Sequence, residues 1–318
     1  MAAGPLVGGA VTQGLSWHWV FWVNVPVAVV AALGSMRFLP ESVGPRARLD
    51  LPALALISGG GALAVWGLVQ GPSTGWTSGP VITALLFAVV TLVAFVAWEG
   101  RVEEPMIPLS LFAVWNLSSA VTATFLMAAS IYSAAFLTSQ YFQFSLGDSP
   151  LQTGLRLLPW TATPLLVAPA AGALADRIGE KALILTGLCL QAAGYFWIAA
   201  VTGHHATYLQ LVPPFVIAGV GVSMILPSSS IAVLNSVAPS ALGKASGVLN
   251  TLRQFGAVLG IAITTAVFTA NGSLQTAQSV VHGYRPAIFV AAMFSLAGVG
   301  PSLLLVRRSG SLSVGRSS

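Results

Sequence analysis

Long runs of apolar residues, separated by short segments rich in Gly, Pro and charged residues, dominate the sequence. Nine of these runs are long and apolar enough to cross a membrane as helices. The runs extend approximately over Val20–Leu39, Pro52–Gln70, Pro80–Trp98, Trp115–Ser139, Leu155–Ala175, Ala182–Thr202, Tyr208–Ile231, Ser246–Thr269 and Pro286–Val306. Turn-forming pairs such as Gly71-Pro72 and Gly79-Pro80 separate one run from the next. The pattern predicts an all-α polytopic membrane protein.

The first apolar stretch, Met1–Leu15, is shorter than the nine runs. As a helix it would reach only about 22 Å at 1.5 Å per residue, whereas the hydrocarbon core of a bilayer is about 30 Å thick. The first 36 residues contain no Lys or Arg, so they lack the basic start of a signal peptide. We interpret the stretch as the end of a span whose beginning precedes the sequence.

The composition agrees with a membrane protein and excludes several other classes. Of the 318 residues, 56% are hydrophobic and 7% are charged, against about 25% charged residues in a soluble domain. The net charge of +5 is scattered and forms no patch, so we expect no nucleic-acid partner. The single cysteine, Cys189, excludes a disulfide framework within the chain and a cysteine-based zinc cluster.

The nine runs contain no Asp, Glu or His. A membrane-embedded enzyme would need such residues for a metal or for acid–base chemistry, so we expect no catalytic residue, no metal and no cofactor. All eight acidic residues lie outside the runs. Because carboxylates inside the membrane are the usual proton relays, a proton-coupling acid is expected elsewhere.

The distribution of Lys and Arg predicts the orientation in the membrane. If the segment after Leu39 is cytoplasmic, the outer segments hold only Arg285. The cytoplasmic segments and the tail then hold nine cations, Arg46, Arg48, Arg101, Arg177, Lys181, Lys244, Arg307, Arg308 and Arg316. We therefore expect a multi-pass protein of the cytoplasmic membrane, with its C-terminus in the cytoplasm.

The ten residues Gly172–Lys181, GALADRIGEK, form a charged segment between two apolar runs. The segment resembles the loop signature G-x-L-a-D-R-x-G-x-K of the major facilitator superfamily. The matching residues are Gly172, Leu174, Asp176, Arg177, Gly179 and Lys181. The two glycines would allow a tight turn, and the resemblance implies a role in transport or gating. The alternative is an ordinary positive-inside loop. Glu180 departs from the family, which commonly has a basic residue there.

Two further stretches resemble the 14-span drug:proton antiporters of the same superfamily. Near the N-terminus, small residues resemble the end of the antiporter motif on span five, namely Gly4, Pro5, Gly8 and Gly9. The alternative is a generic small-residue helix interface. The following stretch, Ser16–Phe21 with Asn24–Pro26, resembles the family's sWRWiF…NvP sequence, although His18 replaces the usual Arg.

The third stretch, Ser246–Gly256, resembles the S-G-x-x-N-x-x-R-Q-x-G sequence of the family's penultimate span. Three polar residues on this span are candidates for cavity lining or gating, Asn250, Arg253 and Gln254. For the arginine, the alternative is a side chain that reaches back to the cytoplasmic surface. Gly256 and Gly260 form a GxxxG pair suited to a close helix crossing.

The resemblance implies a major facilitator fold with four parts. Residues 1–39 would hold the end of the N-terminal bundle, spans five and six; residues 40–114 the two extra linker spans and a cytoplasmic loop; residues 115–306 a complete C-terminal six-span bundle; and residues 307–318 a cytoplasmic tail. The implied activity is proton-coupled export of small amphipathic drugs, with the lipid bilayer, the substrate and protons as partners. The alternative is a truncated, non-transporting half or scaffold that needs a partner. We expect that this chain alone does not transport.

Overall fold

The computed structural model describes residues 3–38, 50–102, 105–203 and 207–305. Within these ranges every regular element is a helix, and nine helical segments are long and apolar enough to cross a membrane. They are Trp19–Phe38, Leu51–Thr74, Gly79–Glu99, Trp115–Ser145, Leu158–Ala175, Glu180–Val201, Tyr208–Leu234, Pro239–Asn271 and Ala277–Leu303. The prediction of an all-α membrane protein is confirmed. The predicted tail and the cations Arg46, Arg48, Arg307, Arg308 and Arg316 lie outside the described residues.

The N-terminal part contains three helices, α1 (Ala3–Gly14), α2 (Trp19–Trp22) and α3 (Asn24–Phe38). No residue of α2 or α3 is buried, and their exposed side chains are mostly apolar. Apolar surface of this kind is suited to lipid or to another helix, not to water.

A helical hairpin follows, formed by α4 (Leu51–Thr74) and α5 (Gly79–Glu99). Asp50 caps α4, because its carboxylate accepts a hydrogen bond from the Ala53 amide at 3.0 Å. The same carboxylate accepts the indole Nε1–H of Trp98 at 3.0 Å, which ties the end of α5 to the start of α4. Gly75, with φ of 93°, allows the chain to leave α4 in a conformation that favours glycine.

The remaining helices form a bundle. They are α6 (Ser110–Ala113), α7 (Trp115–Gln140), α8 (Pro150–Arg156), α9 (Leu158–Thr161), α10 (Thr163–Ile178), α11 (Glu180–Val201), α12 (Tyr208–Leu234), α13 (Leu242–Asn271) and α14 (Ala277–Leu303). A π-helical turn, Tyr141–Ser145, continues α7. The interior has two clusters. One is rich in aromatic side chains and includes Tyr141, Trp160 and Phe215; the other is mainly aliphatic.

Proline breaks the fifth candidate span into short pieces. Pro159 and Pro164 lie at the starts of α9 and α10, where their missing N–H groups leave no helical bond unmade. The prolines inside α12, at Pro213, Pro214 and Pro227, do not end that helix. Neighbouring helices can satisfy the freed carbonyls in a membrane bundle, which is why such helices persist.

Small residues set the closest helix contacts in the bundle. A Cβ placed on Gly194 would lie 2.8 Å from the Pro214 carbonyl oxygen, and one on Gly187 would lie 2.7 Å from that of Gly221. The backbones of α11 and α12 therefore approach more closely than any larger residue would allow. Close approach through small residues is the usual source of packing energy between membrane helices.

Candidate functional site

The charged segment Gly172–Lys181 is helical at nearly every position. Residues 172–178 belong to α10 and residues 180–181 to α11. Only Gly179 has a positive φ, at 85°, and it makes the turn alone. The expectation that Gly172 also takes part in a tight turn is wrong, because the two helices continue beyond the apolar core until one residue separates them.

The start of α11 is bonded to two neighbouring helices. Lys181 donates its Nζ to the Leu303 carbonyl oxygen at 2.6 Å, at the end of α14. Glu180 accepts the Asn235 Nδ2–H at 2.8 Å, just beyond the end of α12. Glu180, which departs from the family signature, therefore connects the start of α11 to the end of α12.

The other signature residues make fewer contacts. Arg177 is exposed in the last turn of α10, and Leu174 is exposed on the same helix. A Cβ on Gly172 would meet open space. Asp176 lies in α10, and its side chain is outside the described part of the chain.

Two of the four small residues near the N-terminus, Pro5 and Gly9, contact α8. A Cβ on Gly9 would collide with the Pro150 carbonyl, and one on Gly154 would collide with the Pro5 carbonyl. Each helix thus contributes one glycine that lies against a backbone carbonyl of the other helix. The order of the two contacts shows that α1 and α8 run antiparallel where they cross. A hydrogen bond from the Leu151 amide to the Gln13 side chain, at 3.3 Å, extends the crossing. By contrast, Gly4 and Gly8 face open space.

The polar residues of α13 do not share one environment. Arg253 is half-buried and donates Nη2–H to the Asn250 Oδ1 at 2.8 Å. Its Nε is enclosed and has no hydrogen-bond partner among the described residues. Asn250 and Gln254 are exposed. Gln254 lines a cavity of about 780 Å³ that lies between α4 and α13.

The glycine pair of α13 lies against α7. A Cβ on Gly256 would collide with the Phe125 carbonyl, and one on Gly260 would collide with the Ala129 carbonyl. The crossing of α7 and α13 therefore depends on the absence of side chains at both positions.

Sequence reasoning missed an ion pair at the opposite end of the bundle. Arg156 Nε lies 3.1 Å from the Asp148 carboxylate, whose side chain is 5% exposed. The guanidinium also lies over the rings of Phe142 and Tyr208, at 5.8 and 5.4 Å from their centroids. The run predicted over Leu155–Ala175 placed Arg156 inside the membrane, but the candidate span begins at Leu158.

Burial dominates the electrostatics of this pair. Burial raises the pKa of the Asp148 carboxyl, and the nearby Arg156 guanidinium opposes that rise without cancelling it. The sequence signals only the start of the helix, since Ser149 and Gln152 form a capping box at the beginning of α8. Asp148 precedes this cap and Arg156 ends α8, so helical spacing alone does not predict their contact.

A second buried carboxylate, Glu99, was placed just outside a predicted run. It is 3% exposed and accepts the Ile107 amide N–H at 3.2 Å. Lys244 donates to the Pro105 carbonyl at 2.6 Å, so two charged residues hold the segment between α5 and α6. Among the residues that the structure describes, no group of three or more His, Cys, Asp or Glu could hold a metal.

Comparison with known proteins identifies the family. Residues 120–316, more than half of the chain, match the model of the Major Facilitator Superfamily. The chain belongs to this superfamily.

Several curated relatives are similar over most of this chain. A tetracenomycin C resistance and export protein of Streptomyces glaucescens is 31% identical over 82% of this chain and 49% of its own. The multidrug resistance protein Stp of Mycobacterium tuberculosis is 32% identical over 84% of this chain and 50% of its own. The cephamycin export protein CmcT of Amycolatopsis lactamdurans is 31% identical over 93% of this chain and 62% of its own. The chain spans about half the length of the first two relatives.

Proposed function

We propose that the chain is part of a proton-coupled exporter of small amphipathic molecules, within the 14-span group of the superfamily. In this proposal residues 115–306 form a complete C-terminal six-span half, and residues 40–114 carry two extra spans. Residues 1–39 hold the end of the N-terminal bundle, and residues 307–318 form a cytoplasmic tail. The relatives named for multidrug resistance and for antibiotic export support the substrate class.

The crossing of α1 and α8 carries the proposal. Transporters of this superfamily work by rocking one half of the molecule against the other about a site near the membrane midplane. In the proposed division α1 belongs to one half and α8 to the other, so their reciprocal contacts at Gly9 and Gly154 join the halves. Small residues at these two positions let the backbones of the two halves approach closely.

The start of α11 would act at the cytoplasmic end. The bonds from Lys181 to Leu303 and from Asn235 to Glu180 join three helices of the C-terminal half. We propose that these bonds hold that half as one body during rocking, and that Asp176 and Arg177 contact the other half in one state only. In this proposal the proton-coupling acid lies outside the nine predicted apolar runs, because those runs contain no carboxylate.

Substitution of Asp176 tests the proposed role of the motif. Cells would express the chain together with whatever coding sequence precedes Met1 in frame, and efflux of a fluorescent lipophilic cation would be followed. We expect Asp176→Asn to reduce the efflux rate while the amount of protein in the membrane stays unchanged. Normal efflux by this variant would show that the segment only sets the orientation of the chain in the membrane and that its carboxylate takes no part in transport.

The non-transporting alternative gives a different result in the same assay. A half or scaffold that needs a partner would show no efflux, with or without any coding sequence that precedes Met1 in frame. It would instead copurify with a separate polypeptide that supplies membrane helices. We favour the exporter, because the named relatives are resistance and export proteins.

A further inference from the structure

A groove opens between α11 and α14 at the end of the bundle that the positive-inside count places outside. Its volume is about 640 Å³, and its lining includes Phe196, Ala199, His282, Arg285 and Phe289. The volume lies within the range of about 300–1,000 Å³ that is typical of small-molecule sites.

The groove is cationic at one end and aromatic at the other. His282, Arg285 and Phe289 follow the spacing i, i+3, i+7 and share one face of α14. The Phe289 ring packs on that of Phe196, with centroids 5.1 Å apart. The polar end therefore lies nearer to the start of α14, and the aromatic end lies one to two turns deeper along the same face.

Arg285 is held in place and retains free donors. Its Nε–H donates to the Ala199 carbonyl at 3.1 Å, in the last turn of α11, where carbonyls lack helical partners. Among the described residues, Arg285 makes no further hydrogen bond or ion pair. A guanidinium has five N–H donors, so four remain for an acceptor.

No acid of this chain balances that charge on the outer side. Seven of the eight acidic residues lie in segments predicted to be cytoplasmic. The eighth, Asp148, is paired with Arg156. Since outer segments of membrane proteins usually avoid cations, an uncompensated arginine there calls for an external anion.

The surroundings of the groove are suited to lipid. Exposed apolar side chains continue along the same two helices beyond the groove, at Trp197, Met293 and Leu296, each 43–44% exposed. A soluble anion would leave this apolar floor without a partner. A lipid would place its phosphate at the cationic end and an acyl chain along the aromatic end.

We propose that the groove binds an anionic glycerophospholipid of the outer leaflet. Arg285 donates to the phosphate, with His282 beside it, and the chain of the lipid packs on Phe196 and Phe289. The proposal does not depend on the transport activity.

The test measures lipid retention by the purified chain. Delipidated protein in a neutral detergent is titrated with phosphatidylglycerol and, separately, with phosphatidylcholine, and bound lipids are counted by native mass spectrometry. We expect preferential retention of phosphatidylglycerol. Arg285→Gln should weaken it about fivefold, the size of effect typical of one cation near an anionic lipid surface.

Three controls make the result decisive. Arg101→Gln removes an exposed cation from the opposite end and should leave retention unchanged. Arg285→Lys keeps the charge without the planar donor group, and it should retain most of the binding even if the bond to Ala199 contributes to folding. Phe289→Ala should weaken lipid binding without altering the charge.

The contradicting outcomes are equally specific. Equal losses in Arg285→Gln and Arg101→Gln would show unspecific attraction of anionic lipid and would overturn the proposal. Equal retention of the two lipids by the unaltered chain would also overturn it. Displacement of phosphatidylglycerol by inorganic phosphate alone would show a site for a soluble anion instead of a lipid.

Discussion

Lys181, in the first turn of α11, donates its ammonium group to the carbonyl oxygen of Leu303, in the last turn of α14, at 2.6 Å. The final carbonyls of a helix have no partners within it, and a cation there also interacts favourably with the helix dipole. One side chain of the charged segment thus caps the C-terminal end of α14, although the two bonded residues are 122 positions apart in the chain.

Removal of the Lys181 ammonium should loosen the end of α14. Lys181→Met keeps the length of the side chain and removes the charge and the donors. We expect a loss of about 1 kcal/mol of local stability, seen as faster amide hydrogen exchange in the last turn of α14. Arg177→Gln, a change at an exposed cation two residues before the turn, should leave that exchange unchanged. Equal effects of both variants would mean that general charge, and not the bond, protects the helix end.

The crossing of α1 and α8 should not tolerate a side chain at Gly9. Gly9→Ala places a methyl group against the Pro150 carbonyl, and overpacking of this kind costs about 1–3 kcal/mol. We expect the helices to separate. The measurement is disulfide formation between Gln13→Cys and Leu151→Cys in a Cys189→Ala background, since these positions are joined by a hydrogen bond in the structure.

Gly8 provides the matched control for this crossing. It is adjacent in sequence and a Cβ there meets open space, so Gly8→Ala should cross-link as well as the parent. If Gly9→Ala also cross-links normally, the crossing does not depend on backbone contact.

The crossing of α7 and α13 gives a second packing test. Gly260→Ala brings a methyl group against the Ala129 carbonyl, and we expect the thermal unfolding midpoint in detergent to fall by an amount that corresponds to about 1–3 kcal/mol. Gly247→Ala on the same helix meets open space and should leave the midpoint unchanged or raise it, because Ala favours a helix over Gly. A fall in both variants, or in neither, would contradict the assignment of this interface.

The pH dependence of stability should report the burial of Asp148. Its pKa is raised in the folded protein by burial, against the opposing effect of Arg156. A raised carboxyl pKa means that the folded state favours the protonated form, so this contribution is fully present below the unfolded pKa of about 3.9. It is lost as the pH rises through the folded pKa.

Asp148→Asn removes that titration. The difference in unfolding midpoint between the variant and the parent should therefore shift in favour of the variant as the pH rises from about 4 towards neutrality. Other titrating groups are common to both proteins and cancel in the difference. A difference that is constant with pH would show that the carboxyl is not perturbed.

The sequence predicted the spans well and the ends of the spans poorly. Length and apolar character alone locate helices such as α11 and α14, because a helix satisfies its backbone hydrogen bonds within one segment, as lipid requires. The charged segment at Gly172 was predicted as a loop, since charges mark the membrane boundary. A helix can continue beyond that boundary, as α10 does until Gly179.

The contacts of the candidate site were less accessible to sequence reasoning. The partners of Lys181 and Glu180 lie 122 and 55 residues away, and no local pattern predicts which helices meet at this end of the bundle. The roles of Asn250, Arg253 and Gln254 stay predictions, as does the role of Asp176. The sequence did not predict the burial of Glu99 and Asp148, because both lie outside the apolar runs.

Proton coupling is the central claim, and inside-out membrane vesicles test it most directly. The vesicles would contain the chain with any coding sequence that precedes it in frame, and a pH-sensitive dye would report an imposed proton gradient, acidic inside. We predict that a lipophilic cation added outside is taken up and dissipates part of the gradient, and that Asp176→Asn reduces both effects. Uptake that is unaffected by prior collapse of the gradient, or no uptake at all, would contradict the account.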